Sequence, residues 1–135
     1  MHIMIEQKEA DVIFEETEPV YVWADEFKIE EVVTNYTSNA LNHLDGERKV
    51  EIKVLREDEC VKVTVFNTGT PIPEEDIPNL WNKFYKVDKA RTREYGGSGI
   101  GLSIVKAIIE SMNQKYGVCN YDNGVEFWFT LDCRQ

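Results

Sequence analysis

A glycine-rich loop that leads directly into a helix constrains the fold of this chain more than any other feature. Residues 96–101 hold four glycines in six positions, which frees the backbone to approach a ligand closely. The following apolar residues recur at helical spacing, at Ile104, Val105, Ile108, Ile109 and Met112. Free N–H groups and the helix dipole then point the same way, so the sequence predicts an anion site suited to a phosphate chain. The alternative is a surface loop rich in glycine.

The common glycine-loop templates do not describe this segment. The chain has no G-x-x-x-x-G-K-[ST] motif, which excludes a P-loop. Gly97, Gly99 and Gly101 occur at every second position. The dinucleotide-binding fingerprint is instead G-x-G-x-x-G inside a βαβ unit. A different nucleotide-binding fold is therefore required.

A second element carries an unusual polar stripe. Residues 25–44 are predicted to form a helix, with Asp25 as the N-cap. At about 100° per residue, four polar residues fall within an arc of roughly 80° on one face: Glu31, Asn35, Asn39 and Asn42. Asparagine is a mediocre helix former, and amide and carboxylate oxygens suit Mg²⁺. The stripe therefore predicts a metal or ligand face, with a solvated polar face as the alternative.

Four segments in a fixed order make the chain resemble a known family. Residues 35–43 (NYTSNALNH) resemble the N box of sensor histidine kinases, and 67–72 (NTGTPI) resemble their first glycine box. Residues 80–88 (LWNKFYKVD) resemble the phenylalanine box, and 97–106 (GSGIGLSIVK) resemble the second glycine box. The matching module is the catalytic, ATP-binding domain, which has the Bergerat fold of gyrase, Hsp90 and MutL. The resemblance implies an α/β (α+β) two-layer sandwich, a mixed, mostly antiparallel sheet packed on one face by helices.

The resemblance also implies a role for each matching residue in binding Mg-ATP. Asn35 matches the family's metal-binding Asn, and Glu31 lies where related ATPases carry a carboxylate base. Glu31 either polarises an attacking group or orients the metal's water shell, and a plain surface acid is the alternative. Lys86 and one of Arg91 or Arg93 would neutralise the γ-phosphate. The remaining nucleotide contacts are expected at Asn39, Asn42, His43, Asn67, Gly69, Ile72, Tyr85, Gly97, Ser98, Gly99, Ile100, Gly101 and Leu102.

Two positions depart from the family pattern. The first glycine box usually begins with Asp, which accepts a hydrogen bond from the adenine amine, and this chain has Asn67. The amide oxygen can still accept that bond, but without charge assistance. A phosphate-facing Lys is replaced by Asn42, and His43 follows where the family has Tyr. These changes predict weaker ATP binding and more dependence on Lys86 and the arginines.

Length and composition indicate one ordinary domain. The chain of 135 residues is 42% hydrophobic and 30% charged, which fits a single core spanning 1–135. Its net charge of −10 argues against nucleic acid or a membrane surface as a partner. Residues 73–97 are expected to form a mobile lid, whose cations Lys83, Lys86, Lys89, Arg91 and Arg93 lie over the phosphates. The three cysteines match no zinc or disulfide pattern, and a cytoplasmic location is expected.

Alternating apolar residues predict where the strands lie in the sequence. Segments 12–15 and 20–23 are predicted as short strands around a turn, and 48–55 with 60–66 as a hairpin. The glycine-box helix is expected to run to about Tyr116. Segments 117–122 and 125–131 form a second predicted hairpin, around Asp122-Asn123-Gly124.

A histidine kinase also needs a phosphoaccepting His on a helical dimerisation domain, and neither His2 nor His43 has that context. We therefore expect a monomeric domain that binds Mg-ATP without phosphorylating itself. In the parent protein it would phosphorylate a His on a separate domain, and a response regulator would receive the phosphoryl group. That parent is expected to be anchored in the cell membrane. Two alternatives are a serine kinase of the anti-sigma-factor type and a non-catalytic interaction domain of the same fold.

Overall fold

Regular elements carry the N-box segment and the part of the second glycine box that starts at Gly101. A computed structural model describes residues 25–82 and 101–132 together with the backbone of 11–14. Within these ranges the chain forms five strands and two α-helices. In chain order they are β1 (Asp11–Phe14), α1 (Glu26–Asn42), β2 (Lys49–Arg56), β3 (Cys60–Thr68), α2 (Gly101–Ser111), β4 (Tyr116–Tyr121) and β5 (Gly124–Asp132).

The strands form one sheet in the order β1-β2-β3-β5-β4. Strands β2 and β3 pair antiparallel, as do β3 with β5 and β4 with β5, which confirms both predicted hairpins. The first strand lies parallel to β2, with Val12 opposite Val50. The second short strand that the sequence predicted, 20–23, lies outside the described residues.

Both helices cover one face of this sheet. In β3 the residues Val61, Val63 and Val65 are buried and alternate with residues of the other face. They join the buried face of α1, where Val32, Tyr36 and Ala40 are fully buried, so the same stripe that predicted a helix also fills the core. The predicted two-layer sandwich is thus confirmed.

Tyr36 is the central side chain of this core. Its hydroxyl donates a 3.0 Å hydrogen bond to the backbone oxygen of Trp128 on β5. Its ring packs against Phe127 and Phe129, with centroids 5.5 and 5.9 Å away. Burial raises the pKa of Tyr36 far above its ordinary value, so the phenol remains a protonated donor.

Helix α1 begins where the sequence predicted. Asp25 is the N-cap, and its Oδ1 accepts hydrogen bonds from the backbone N–H groups of Phe27 (2.9 Å) and Lys28 (3.2 Å). These bonds satisfy two of the N–H groups that a helix start leaves open.

Helix α2 ends five residues before the predicted Tyr116, which instead opens β4. Asn113 takes a left-handed conformation with φ of 57°. Its N–H bonds to the oxygen of Glu110, and the N–H of Gln114 bonds to the oxygen of Ile109, both at 3.1 Å. This is a Schellman motif, with asparagine where glycine is usual. The predicted boundary was wrong because apolar spacing alone does not reveal this cap.

The segment after the first glycine box is more ordered than its sequence suggested. Residues Glu74–Asn79 form a 3-10 helix. Leu80 is buried, and the Trp81 ring lies 4.7 Å from Tyr116 and 5.8 Å from Phe127 between centroids. The start of the expected lid is therefore fixed to the core, and residues 83–97 lie outside the described residues.

Candidate functional site

The polar stripe of α1 faces the start of α2. A Cβ placed on Gly101 would lie only 3.1 Å from Oδ1 of Asn35, so glycine allows this close approach. At the other ends of the two helices, Lys28 Nζ lies 3.3 Å from Ser111 Oγ. The helices therefore run antiparallel, and the N-terminus of α2 lies beside Asn35.

The Asn35 side chain is held with its oxygen available. Its Nδ2 donates to the backbone oxygen of Glu31 at 2.8 Å and approaches Glu31 Oε1 at 3.5 Å. Within the described part of the chain, Oδ1 accepts no hydrogen bond. An oriented amide oxygen beside an exposed carboxylate suits a hard cation such as Mg²⁺.

The rest of the stripe continues to the end of α1. Asn39 is half-buried, and its side chain makes no hydrogen bond to another described residue. The Oδ1 of Asn42 is buried without a hydrogen-bond partner among the described residues. His43 caps the helix through its N–H, which bonds to the oxygens of Asn39 and Ala40. The structure thus brings Glu31, Asn35 and Asn39 onto one continuous face.

Asn67 is buried at the end of β3, with 2% of its surface exposed. Its Nδ2 donates to the backbone oxygens of Thr68 (3.2 Å) and His43 (3.5 Å). The amide therefore links β3 to the end of α1, a function that an aspartate, which lacks a donor, would not share. Its Oδ1 makes no hydrogen bond to the other described residues, so it remains an acceptor.

The loop after Asn67 depends on glycine. Gly69 has a φ of 154°, and a Cβ there would lie 2.8 Å from the backbone oxygen of His43. The N–H of Gly69 donates to the oxygen of Asn123 in the β4–β5 turn at 3.0 Å. Ile72, the last expected contact in this box, is half-buried against the core. Glycine therefore keeps this loop tight against α1 and the turn.

Several expected site residues lie outside the described residues: Tyr85, Lys86, Arg91, Arg93, Gly97, Ser98, Gly99 and Ile100. Gly101 and Leu102 are described, and Leu102 packs against the core at the start of α2. Two contacts beside the site were missed by sequence reasoning. Asn120 forms a hydrogen bond to Ile72, which is 48 residues away in sequence, and Gly124 packs against the backbone oxygen of Asn67. The Asp-Asn-Gly turn was the available signal for Gly124, and no local pattern indicates Asn120.

Replacing Asn67 with aspartate is expected to lower the free energy of unfolding at pH 7 by about 1–3 kcal/mol. The variant loses both bonds from Nδ2 and places a carboxylate oxygen near the carbonyls of His43 and Thr68. Urea unfolding followed by tryptophan fluorescence measures the change. As a control, Asn82→Asp alters an exposed asparagine and should change the stability by less than about 0.5 kcal/mol. Equal stability of Asn67→Asp and the unsubstituted protein would show that the amide does not hold this junction.

Known proteins share both the sequence and the fold of this chain. Residues 24–135 match the family described as "Histidine kinase-, DNA gyrase B-, and HSP90-like ATPase". The sensor histidine kinase WalK of Bacillus subtilis (strain 168) is 39% identical over 94 residues, which cover 68% of this chain and 15% of WalK. The chain thus spans about a seventh of that relative.

Solved structures agree with these matches. The catalytic domain of histidine kinase ThkA, in a nucleotide-free form, superposes with a TM-score of 0.82 at 33% identity, covering 97% of this chain and 84% of that one. ThkA in complex with the response regulator protein TrrA gives a TM-score of 0.80 at 30% identity, with 98% and 37% covered.

No helix in the described ranges is long and apolar enough to cross a membrane. Three observations lead to one family: the mixed sheet, the amide stripe beside Gly101 and the match over residues 24–135. The chain belongs to the histidine kinase-, DNA gyrase B- and HSP90-like ATPase family, and within it is an ATP-binding catalytic domain of the sensor histidine kinase type.

Proposed function

We propose that this domain binds Mg-ATP between α1 and the N-terminus of α2 and transfers the γ-phosphoryl group to a histidine on a separate helical domain of its parent protein. The observation that supports this proposal is how closely Gly101 approaches Asn35. A Cβ placed on Gly101 would lie 3.1 Å from Oδ1 of Asn35. This close approach joins an oriented metal ligand to a helix N-terminus, where backbone N–H groups favour phosphate oxygens.

The donor set fits a magnesium ion carried by the nucleotide. Asn35 Oδ1 would hold the ion together with phosphate oxygens, since Mg²⁺ keeps few protein ligands in such sites. When bound, the ion supplies charge neutralisation at the transferred phosphoryl group. Asn39, one turn further along α1, lies on the same face for contact with the phosphates.

The transfer step needs a proton acceptor and a positive environment. An imidazole nitrogen of the acceptor histidine forms a bond to the γ-phosphorus as the bond to the β–γ bridging oxygen breaks, and ADP leaves. Glu31 is exposed and lies one turn before Asn35, so its carboxylate can accept the proton that the imidazole loses. Lys86 and Arg91 or Arg93 are proposed to balance the negative charge of the γ-phosphate.

Adenine recognition is proposed at the first glycine box. Asn67 presents its amide oxygen to the adenine amine, because its Nδ2 donates to the backbone oxygens of His43 and Thr68. Gly69 and Ile72 follow Asn67 in the same loop and are proposed to contact the nucleotide as well. In this reading the chain acts as one domain within a longer protein, in the cytoplasm beneath a membrane-anchored sensor.

Calorimetric titration of ATP into the purified domain tests the binding step. We expect binding that is tighter with Mg²⁺ than with EDTA, because the ion screens the phosphates from Glu31 and other acidic groups. Absence of binding heat and of a thermal shift at millimolar ATP would refute the proposal and favour a non-catalytic interaction domain.

The acceptor is tested separately with radiolabelled ATP and the helical domain of the parent protein. Phosphohistidine is labile in acid, whereas phosphoserine is stable in acid. We expect acid-labile label on the helical domain, followed by its transfer to a response regulator. Acid-stable label would contradict the histidine kinase step and support the serine kinase alternative.

A further inference from the structure

The loop that carries the first glycine box is held by a side chain from the sheet edge. Asn120 lies on β4, the edge strand of the sheet, and its side chain is exposed. Its Oδ1 accepts a 3.0 Å hydrogen bond from the N–H of Ile72, and its Nδ2 donates a 2.8 Å bond to the oxygen of Ile72. One asparagine amide therefore satisfies both backbone groups of one loop residue.

This pair of bonds copies the exchange between paired residues of an antiparallel sheet. A primary amide offers one acceptor and two donors on one rigid plane, and it therefore fixes both the distance and the orientation of the loop. Proline residues flank Ile72 on both sides, at Pro71 and Pro73, and lack N–H groups. The N–H of Ile72 is thus the one backbone donor between residues 71 and 73.

A second contact fixes the other end of the same loop. The N–H of Gly69 donates to the oxygen of Asn123 at 3.0 Å. Gly124, the next residue, packs against the backbone of Asn67. The β4–β5 hairpin therefore contacts this loop at Gly69 and Ile72, and the end of β3 at Asn67. The proposed phosphate site lies elsewhere, at the start of α2.

We propose that Asn120 is a positioning residue for adenine recognition, an inference that rests on the proposed nucleotide-binding function. By fixing Ile72, it keeps the loop at the distance from Asn67 that lets the adenine base bind between them. It has no part in holding the phosphates, which belong to the helix side of the site. Asn120 therefore contributes to the choice of nucleobase and not to recognition of the triphosphate.

Asn120→Ala separates these two contributions. We expect the Kd for ATP to rise by about fivefold to tenfold, in line with the loss of two hydrogen bonds. The Kd for GTP and for inorganic tripolyphosphate should change by less than about twofold, so the preference for ATP over GTP falls. Calorimetry with each of the three ligands in the presence of Mg²⁺ gives the values.

Ser111→Ala is the matched control. Ser111 also donates one hydrogen bond, to Ile108 O at 2.6 Å, and accepts one, from Lys28 Nζ at 3.3 Å. It lies at the end of α2 away from Gly101, about 15 Å along the helix. This variant should leave the affinity for all three ligands unchanged.

The results distinguish this inference from the function on which it rests. Unsubstituted protein that fails to bind ATP overturns the proposed function and the inference together. Normal ATP binding that Asn120→Ala leaves intact overturns only the positioning role. An equal loss of affinity for ATP and tripolyphosphate also overturns it, because the hydrogen bonds of Asn120 to Ile72 would then support the fold as a whole. Amide hydrogen exchange without nucleotide provides a further check, since the Ile72 N–H should exchange about tenfold faster in Asn120→Ala.

Discussion

Gly124→Ala should lower the free energy of unfolding by roughly 3 kcal/mol, which is near the upper end for overpacking in a core. A Cβ at this position would overlap the backbone oxygen of Asn67 and lie 2.7 Å from the Phe66 ring. Gly124 pairs with Thr68 across two central strands, β3 and β5. Neither strand can move aside without breaking the ladder of hydrogen bonds between them.

Urea unfolding of Gly124→Ala and of a second glycine variant measures this effect. Gly46→Ala is the matched control, because Gly46 has a φ of 67°, and no atom of the described residues other than its chain neighbours lies within 4 Å of its Cβ position. It should cost about 1 kcal/mol through backbone strain alone. If both variants lose the same stability, the close contact between β5 and Asn67 is not present in solution.

Asn35→Ala should reduce the rate of phosphoryl transfer by about 100-fold to 1000-fold, the loss typical of one preorganised group that stabilises charge. The substitution removes Oδ1, the oxygen that faces Gly101, and also the bond from Nδ2 to the oxygen of Glu31. Because α1 stays buried through other residues, the fold should persist. Transfer from radiolabelled ATP to the helical phosphoacceptor domain measures the rate, and calorimetry measures the dependence of ATP binding on Mg²⁺.

Two further variants test whether the lower transfer rate of Asn35→Ala is due to the missing metal-ligand oxygen. Asn35→Asp keeps an oxygen for the metal and should retain more activity than the alanine variant. Thr34→Ala alters an exposed neighbour on the same helix and should leave the transfer rate within about twofold. A transfer rate of Asn35→Ala equal to that of Thr34→Ala would remove Asn35 from the metal site.

The sequence predicted those parts of the fold that depend on local pattern. Alternation in β2 and β3 and the Asp-Asn-Gly turn before β5 each determine a hairpin through neighbouring residues. The stripe from Glu31 to Asn42 was visible because helical geometry alone places those residues together. Its position opposite Gly101 came from the family resemblance, since no spacing rule joins residues that far apart.

The errors and omissions come from contacts between distant segments and, at the end of α2, from a local cap that apolar spacing does not reveal. The parallel pairing of β1 with β2 depends on tertiary packing, and no local pattern indicated it. The end of α2 depends on Asn113 adopting a conformation that glycine usually takes. Asn120 holds Ile72 through a bond that only the folded sheet edge creates.

The buried hydroxyl of Tyr36 has a consequence for the direction in which its neighbour points. Asn35 and Tyr36 are consecutive in α1, so their side chains are separated by about 100° around the helix axis. The hydrogen bond from Tyr36 to Trp128 O opposes rotation of α1 about its axis, and so helps to set the angle at which Asn35 faces α2. Because burial raises the pKa of Tyr36 far above neutrality, this bond persists at every pH the cell experiences. Acidity can therefore change the charge of the nucleotide and its acceptor without turning the helix.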